Sequence, residues 1–419
     1  MSVNKYQLKK GINLYHIPTK KFKTTSVSIY FQRPLCREEA TKNALLSSML
    51  RRASGKYPTS QAFSRRLEDL YDAVFYVSSM AKGERQILNV QVQFINDKFI
   101  EENVSLGDQV FDFIDDAVFG QKEFSEDYLN QEKENLRQLI LSNINDKKLY
   151  ASKRCTEIMC EGEAYSISSN GYIEDLEGIT KEDLFDYYKN VILKSPIDIF
   201  VNGDIDIDAI KGKFEYMVKN IDVTNRIDYP DDVKKVVKEV KNVTEEQPVT
   251  QGKLSMGFRT NIFITDHDYP ALMIYNAVLG CGITSKLFNN VREKLSLCYY
   301  ASSNIDSLKG LMKINSGIEV VNYKKAYDEI LKQIKDIENG EVSDYELEAG
   351  KLSTIDSLNS ITDRTFLLNN FYMNNIIAEC PLDIDDLISK IKGVTKEQVV
   401  AVSKKICLDT VFFLKGREA

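Results

Sequence analysis

Two histidines, His16 and His267, are the only imidazoles in the chain, and they stand 251 residues apart. His16 lies in the strand-like Leu14-Tyr-His-Ile-Pro18. His267 lies in the turn Thr265-Asp-His-Asp-Tyr-Pro270. Each reads as a surface or partly buried polar residue. A Ser-His-Asp or Cys-His device would need one of them, and neither has local company of that kind. Seven cysteines, at 36, 155, 160, 281, 298, 380 and 407, are odd in number and form no CxxC pair. They read as buried reduced thiols rather than a zinc ribbon or a redox site. Gly280-Cys-Gly282 follows a helical pattern rather than a strand, which argues against a phosphate cradle. Ser47 and Ser48 sit in a helical run without a nearby His or Lys base, so they are poor nucleophiles.

The elements that would position such residues repeat. Gly178-Ile-Thr-Lys-Glu-Asp-Leu leads through a helical pattern into Ile197-Asp-Ile-Phe-Val and ends at Gly203-Asp204; Gly393-Val-Thr-Lys-Glu-Gln-Val leads into Thr410-Val-Phe-Phe-Leu and ends at Gly416-Arg417. In both, a Thr is followed three residues on by Asp183 or Gln398, a capping-box signal. A second pair runs from Phe63 into Val74-Phe-Tyr-Val-Ser-Ser79, and from Phe288 into Cys298-Tyr-Tyr-Ala-Ser-Ser303. A third pairs the strands 26–31 and 253–258. The pattern predicts two homologous domains, 1–221 and 251–419, joined by a linker over 222–250. Inside that linker the charged alternation of Val233–Val240 predicts an edge strand, with lysines discouraging unwanted pairing. In the first domain, strands are expected at 26–31, 72–79, 86–94 and 197–202, and helices at 38–52, 60–70, 99–119, 126–145 and 180–192. Hairpin-like strand pairs beside grouped helices predict an α+β class: a mainly antiparallel sheet with helices packed on one face.

The chain has 419 residues, with 55 Lys+Arg against 62 Asp+Glu and a formal charge of −7. That balance argues against a nucleic-acid binder, and Lys/Arg come only in short runs such as Lys9-Lys10 and Lys20-Lys21. No stretch reaches the ~18 uncharged apolar residues of a membrane span. The start, Met-Ser-Val-Asn-Lys-Tyr-Gln-Leu-Lys-Lys, lacks the apolar core of a signal peptide, so a cytoplasmic location is expected.

Ala277-Val-Leu-Gly-Cys-Gly-Ile-Thr-Ser-Lys-Leu-Phe-Asn-Asn-Val-Arg-Glu-Lys-Leu-Ser-Leu-Cys-Tyr299 resembles the second-half signature of the pitrilysin/insulinase zinc peptidases. That signature has a Gly-rich turn between helices, an Arg-Glu, and a Tyr seven residues after the Arg; Arg292 and Tyr299 meet it. The resemblance spans nearly the whole chain, because these proteins also repeat an α+β unit of this size. It implies a first-half motif, His-x-x-Glu-His, whose imidazoles and a downstream Glu bind zinc while the enclosed Glu is the general base. Here Ala44 and Ser48 stand where the histidines belong, and Ser47 where the base belongs. Glu132 keeps the family's upstream Glu, and Leu139 stands at the third-ligand position. Four substitutions imply no metal site in this chain, with Glu132 solvated or salt-bridged.

Read alone, Arg292 is a helix-end charge and Tyr299 a packing residue. In the family the pair faces the zinc across a chamber and donates to the bound peptide and the developing oxyanion. The resemblance therefore implies a catalytically inactive subunit of a heterodimeric zinc metallopeptidase, with substrate-binding Arg292 and Tyr299. A homologous partner would carry the zinc, and the substrate would be a peptide or a small unfolded polypeptide. The alternative is a peptide-binding or structural scaffold of the same fold with no peptidase partner.

Overall fold

The computed structural model describes residues 3–100, 105–223 and 234–416. Its first strands follow directly from period-2 patterning: Val27, Ile29 and Phe31 of one strand face a buried apolar core, while Ser26 and Ser28 face the other way. That strand, β3 (Thr24–Pro34), lies in a six-stranded sheet with β1 (Asn4–Lys9), β2 (Ile12–Pro18), β4 (Val74–Lys82), β5 (Arg85–Ile95) and β6 (Ile197–Gly203). The order is β1-β2-β6-β3-β5-β4, and only β2 and β6 run parallel. A second sheet contains β7 (Lys241–Gln247), β8 (Gly252–Arg259), β9 (Cys298–Asp306), β10 (Leu311–Ile318) and β11 (Cys407–Gly416), in the order β7-β11-β8-β10-β9. Here β7 and β11 are the parallel pair. The two orders match strand for strand, with β1 extra, so the molecule is an α+β protein built on a repeat.

The helices are α1 (Arg37–Met49), α2 (Ser60–Asp69), α3 (Leu106–Ile114), α4 (Glu126–Asn145), α5 (Lys147–Met159), α6 (Lys181–Lys194) and α7 (Ile207–Met217) in the first half. The second half has α8 (Tyr269–Gly280), α9 (Tyr323–Glu338), α10 (Asp344–Ile361), α11 (Thr365–Ile377), α12 (Ile384–Lys392) and α13 (Lys396–Ser403). Both expected capping boxes form: Thr180 with Asp183 opens α6, and Thr395 with Gln398 opens α13.

The chain divides into two compact units, and neither is one continuous stretch. The first draws its described residues from Met1–Leu141, Ile167–Tyr229 and Thr365–Met373; the second from Ser142–Ser166, Pro230–Arg364 and Asn374–Ala419. In the second unit α5 packs on β8 and β11, with Ala151 and Cys155 against Phe412 and Leu414. Gly257 permits the approach: a Cβ there would lie 2.7 Å from Met159 Sδ. Arg259 then clasps the end of the segment. Its Nη2 donates to Met159 O at 2.6 Å and to Glu163 Oε1 at 2.7 Å, and its Nε to Asp409 Oδ2 at 3.0 Å. In the first unit, Thr365 and Asn369 of α11 hydrogen-bond Ser26 and Ser28 of β3, each at 2.9 Å.

Several local expectations shift. The edge strand of the second sheet is Lys241–Gln247 rather than Val233–Val240; Val233 lies outside the described residues, and 234–240 form no strand. The strand expected at 72–79 starts at Val74, because Tyr71 and Asp72 adopt left-handed φ of 58° and 55° at the end of α2. The helix expected over 99–119 is α3 followed by a π-helix, Asp115–Phe119. His16 is buried beside Ile12 and Leu14, and burial holds its pKa below the ordinary imidazole value. Among the cysteines, Cys281 and Cys407 are exposed and the other five are buried or half-buried.

Candidate functional site

The helix that would carry the zinc motif is tightly placed. Arg37, in the first turn of α1, makes a two-pronged ion pair with Asp175 and stacks 3.7 Å from the Tyr172 ring centroid. The Arg37 hydrogen bond, with that from Thr41, holds the Asp175 carboxyl below the usual range. Leu45, Leu46 and Met49 lock the helix into the core.

At the positions where the resemblance places the zinc ligands and the base, the side chains offer no such chemistry. Ala44 presents a methyl. The Ser47 hydroxyl donates to Ala44 O in its own helix at 2.7 Å, so it is back-bonded rather than poised. Ser48 accepts from Arg51 Nη2 at 3.2 Å. On α4, Leu139 is 47% exposed. A methyl, two hydroxyls and an isobutyl group do not fit a zinc ion, which needs imidazole, thiolate or carboxylate donors. Among the described residues no group of three or more His, Cys, Asp or Glu is placed to hold a metal.

Glu132 is buried, and Arg52 is its counter-ion: the two are in direct ion-pair contact, with Asn135 Nδ2 also donating to Glu132 Oε1 at 3.1 Å. The cation joining α4 to the end of α1 is thus a guanidinium. Sequence reasoning missed Arg52; the signal was Arg51-Arg52, two cations directly after the apolar run of α1.

Arg292 and Tyr299 both lie in the second unit, and the backbone around them is irregular throughout. Arg292 sits in a π-helix, Leu287–Lys294, closed by an i→i−5 bond from Leu295 N to Asn290 O at 3.2 Å. Ser296 then takes a left-handed φ of 50°. Cys298 pairs with Ile318 and Tyr300 with Gly317, so Tyr299 is the extra residue of a β-bulge. π-helices and bulges concentrate at functional sites, where they re-aim side chains. The Tyr299 side chain is half-exposed and its hydroxyl donates to Glu319 Oε1 at 3.3 Å. The Arg292 guanidinium lies 4.8 Å from the Phe288 ring centroid, and its Nε is 3.5 Å from Glu293 Oε1. The preceding glycines have structural reasons. A Cβ on Gly280 would sit 2.6 Å from Ser303 Oγ, so α8 can approach β9 only as glycine, and Gly282 takes φ +95° in the turn.

Comparison with known proteins agrees with this arrangement. Residues 178–353 match the family described as "Peptidase M16 inactive domain". A Bacillus subtilis (strain 168) protein named "Probable inactive metalloprotease YmfF" is 34% identical over 413 residues, covering 97% of this chain and 96% of that one. A conserved protein of Enterococcus faecalis V583 superposes with a TM-score of 0.91 at 29% identity, over 99% of both chains. The peptidase M16 inactive domain from Pseudomonas fluorescens superposes at 0.82 with 16% identity, over 100% of this chain and 99% of that one. On this likeness over nearly its whole length to a protein named as an inactive metalloprotease, and on its match to the inactive-domain family, the chain belongs to the M16 peptidase family as a non-catalytic member.

Proposed function

We propose that this chain is the inactive subunit of a two-chain zinc peptidase acting in the cytoplasm. A homologous partner holds the zinc and the general base. This chain closes the peptide chamber and lends Arg292 and Tyr299 to the partner's site. The observation that carries the reading is a contrast within one molecule. The resemblance puts the three zinc ligands at Ala44, Ser48 and Leu139 and the base at Ser47, none of which can do that chemistry, while Arg292 and Tyr299 are present, one on a π-helix and the other at a β-bulge. A guanidinium and a phenol are suited to hold a peptide carbonyl and the negative charge that develops on it. β4 and β9 end their sheets, each hydrogen-bonded on one side only, so each offers backbone groups to an extended peptide.

The test is peptide cleavage by this chain mixed with a homologue bearing an intact His-x-x-Glu-His motif. Arg292→Ala or Tyr299→Phe should leave assembly unchanged on size exclusion and lower kcat/KM mainly through kcat, by ~10²–10³ for a lost oxyanion donor. Full turnover from an intact complex carrying both substitutions would leave the scaffold reading. One observation favours that second reading: in this chain both groups already rest beside its own carboxylates, Glu293 and Glu319.

A further inference from the structure

We propose that Lys148, Lys253 and Tyr300 form a subsite that receives an acidic side chain of an extended peptide. The inference rests on the peptide-binding reading above and adds the class of peptide.

The floor of the subsite is set by strand register. Lys253 of β8 and Tyr300 of β9 both pair with Gly317 of β10, one on each side, so the three form a row on one face of the sheet. A Cβ on Gly317 would lie 2.4 Å from Tyr300 Cε1. The glycine therefore lets the phenol ring lie down across the sheet towards Lys253. Two ammonium groups converge on that ring. Lys253 Nζ is 5.8 Å from the ring centroid, and Lys148 Nζ, reaching in from α5, is 4.5 Å from it.

The positive charge at this point is balanced only in part by its neighbours, since one carboxylate, Asp146, acts across space on Lys253 and Tyr300 where two ammonium groups converge. Most cations nearby on α5 have polar partners: Lys147 with Gln247, Lys153 with Glu157, and Arg154 with Glu157 and Glu245. Among the described residues neither Lys148 nor Lys253 makes an ion pair; Lys253 Nζ donates to the neutral Gln251 Oε1 at 2.8 Å. The nearest acid, Asp146, uses Oδ1 to cap α5, accepting from Lys148 N at 3.1 Å and Leu149 N at 3.0 Å. Partial burial lowers the Lys253 pKa and pushes Tyr300 up to about 12. A partly desolvated ammonium that makes no direct ion pair gains from a further carboxylate, and the Tyr300 hydroxyl remains protonated to donate to it.

Position selects a peptide as the occupant. Tyr300 lies on β9, the edge strand, directly after the bulged Tyr299. A peptide laid along that edge alternates its side chains between the two faces. Those on the α5 face would meet the two lysines. The whole chain carries −7, so a preference for acidic peptides would come from this local arrangement and not from overall attraction.

The experiment measures binding to the purified full chain by fluorescence anisotropy. The probes are a labelled ten-residue peptide of alternating Thr and Glu and its Thr-Gln isostere. The Glu peptide should bind about five- to tenfold tighter at low salt, with the gap closing as salt rises. The double variant Lys148→Ala/Lys253→Ala, checked for an unchanged melting temperature, should bind both peptides alike. Lys148→Arg/Lys253→Arg should keep the preference. Equal affinity of the wild type for both peptides, or a preference that survives in the double alanine variant, would overturn the subsite and leave peptide binding standing. Failure to bind either peptide would overturn the peptide-binding reading together with it.

Discussion

Arg52, just past the end of α1, pairs with the buried Glu132 carboxylate of α4 and compensates its charge. Removing it leaves the buried Glu132 carboxylate, among the described residues, with the neutral Asn135 amide as its hydrogen-bond donor. Arg52→Ala should therefore cost roughly 1–3 kcal/mol in urea unfolding, the range for a buried charged group that loses its partner. Arg52→Leu combined with Glu132→Leu should recover much of that loss. In the same samples, elemental analysis should find no stoichiometric zinc, and a chelator should leave the melting temperature unchanged. About one zinc per chain would overturn the reading of Ala44, Ser47, Ser48 and Leu139. The resemblance puts Ala44, Ser47 and Ser48 in register through the neighbouring Leu45-Leu46 and Met49-Leu50, and Leu139 through its place seven residues after Glu132. The Arg52 ion pair was not legible in the sequence, since it joins residues 80 apart. The bulge at Tyr299 and the π-helix around Arg292 were also hidden, because each is a slip in hydrogen-bond register that composition does not encode.

At the scale of elements, the segment 142–166 is held in the second unit by the Arg259 cluster. The Arg259 side chain is 5% exposed, and Glu163 and Asp409 are 10% and 12% exposed. Burial alone would raise the Glu163 pKa; the hydrogen bonds and charges of Arg259 and Lys309 outweigh it, so the carboxyl titrates below its usual value. A depressed carboxyl contributes stability that is complete above its unfolded pKa, near ~4.3, and is lost as pH falls through the lower folded value. Arg259→Leu should destabilise by ~3 kcal/mol at pH 7. The gap from wild type should narrow on acidification below about pH 4, when Glu163 protonates in both proteins. Denaturant titrations at pH 7, 5 and 3.5 check this, and a gap independent of pH would remove the assigned role. Strand alternation and capping boxes revealed β3, β8, α6 and α13 from sequence. The packing of α5 on β8 and β11 was invisible there, because it rests on long-range contacts: the close approach at Gly257 and the Arg259 cluster.

For the molecule as a whole, the stretch before β7, where the chain passes from the first unit to the second, is the expected first site of limited proteolysis. A single cut there should not release two separable domains. The fragment before the cut supplies 142–166 to the second unit, and the fragment after it supplies 365–373 to the first. The nicked protein should elute as one species on size exclusion and separate only in denaturant. Either half expressed alone should fold poorly, as a unit missing a helix that covers its sheet. Two stable, independently eluting halves would contradict this. The repeat itself was legible from paired motifs at near-constant offset. The exchange of segments was not, since a repeat in sequence places each copy of a helix with its own neighbours.

The exchanged segments also set a clock on biosynthesis. The last strand of the first sheet ends at Gly203, yet the helix segment covering its Ser26 and Ser28 ends at Met373. At ~5–20 residues per second the ribosome needs roughly 10–30 s to deliver that stretch. Throughout that interval the nascent first sheet waits with one face unfinished, long enough for chaperones to engage it and for a neighbouring nascent chain to offer its own copy of the missing segment.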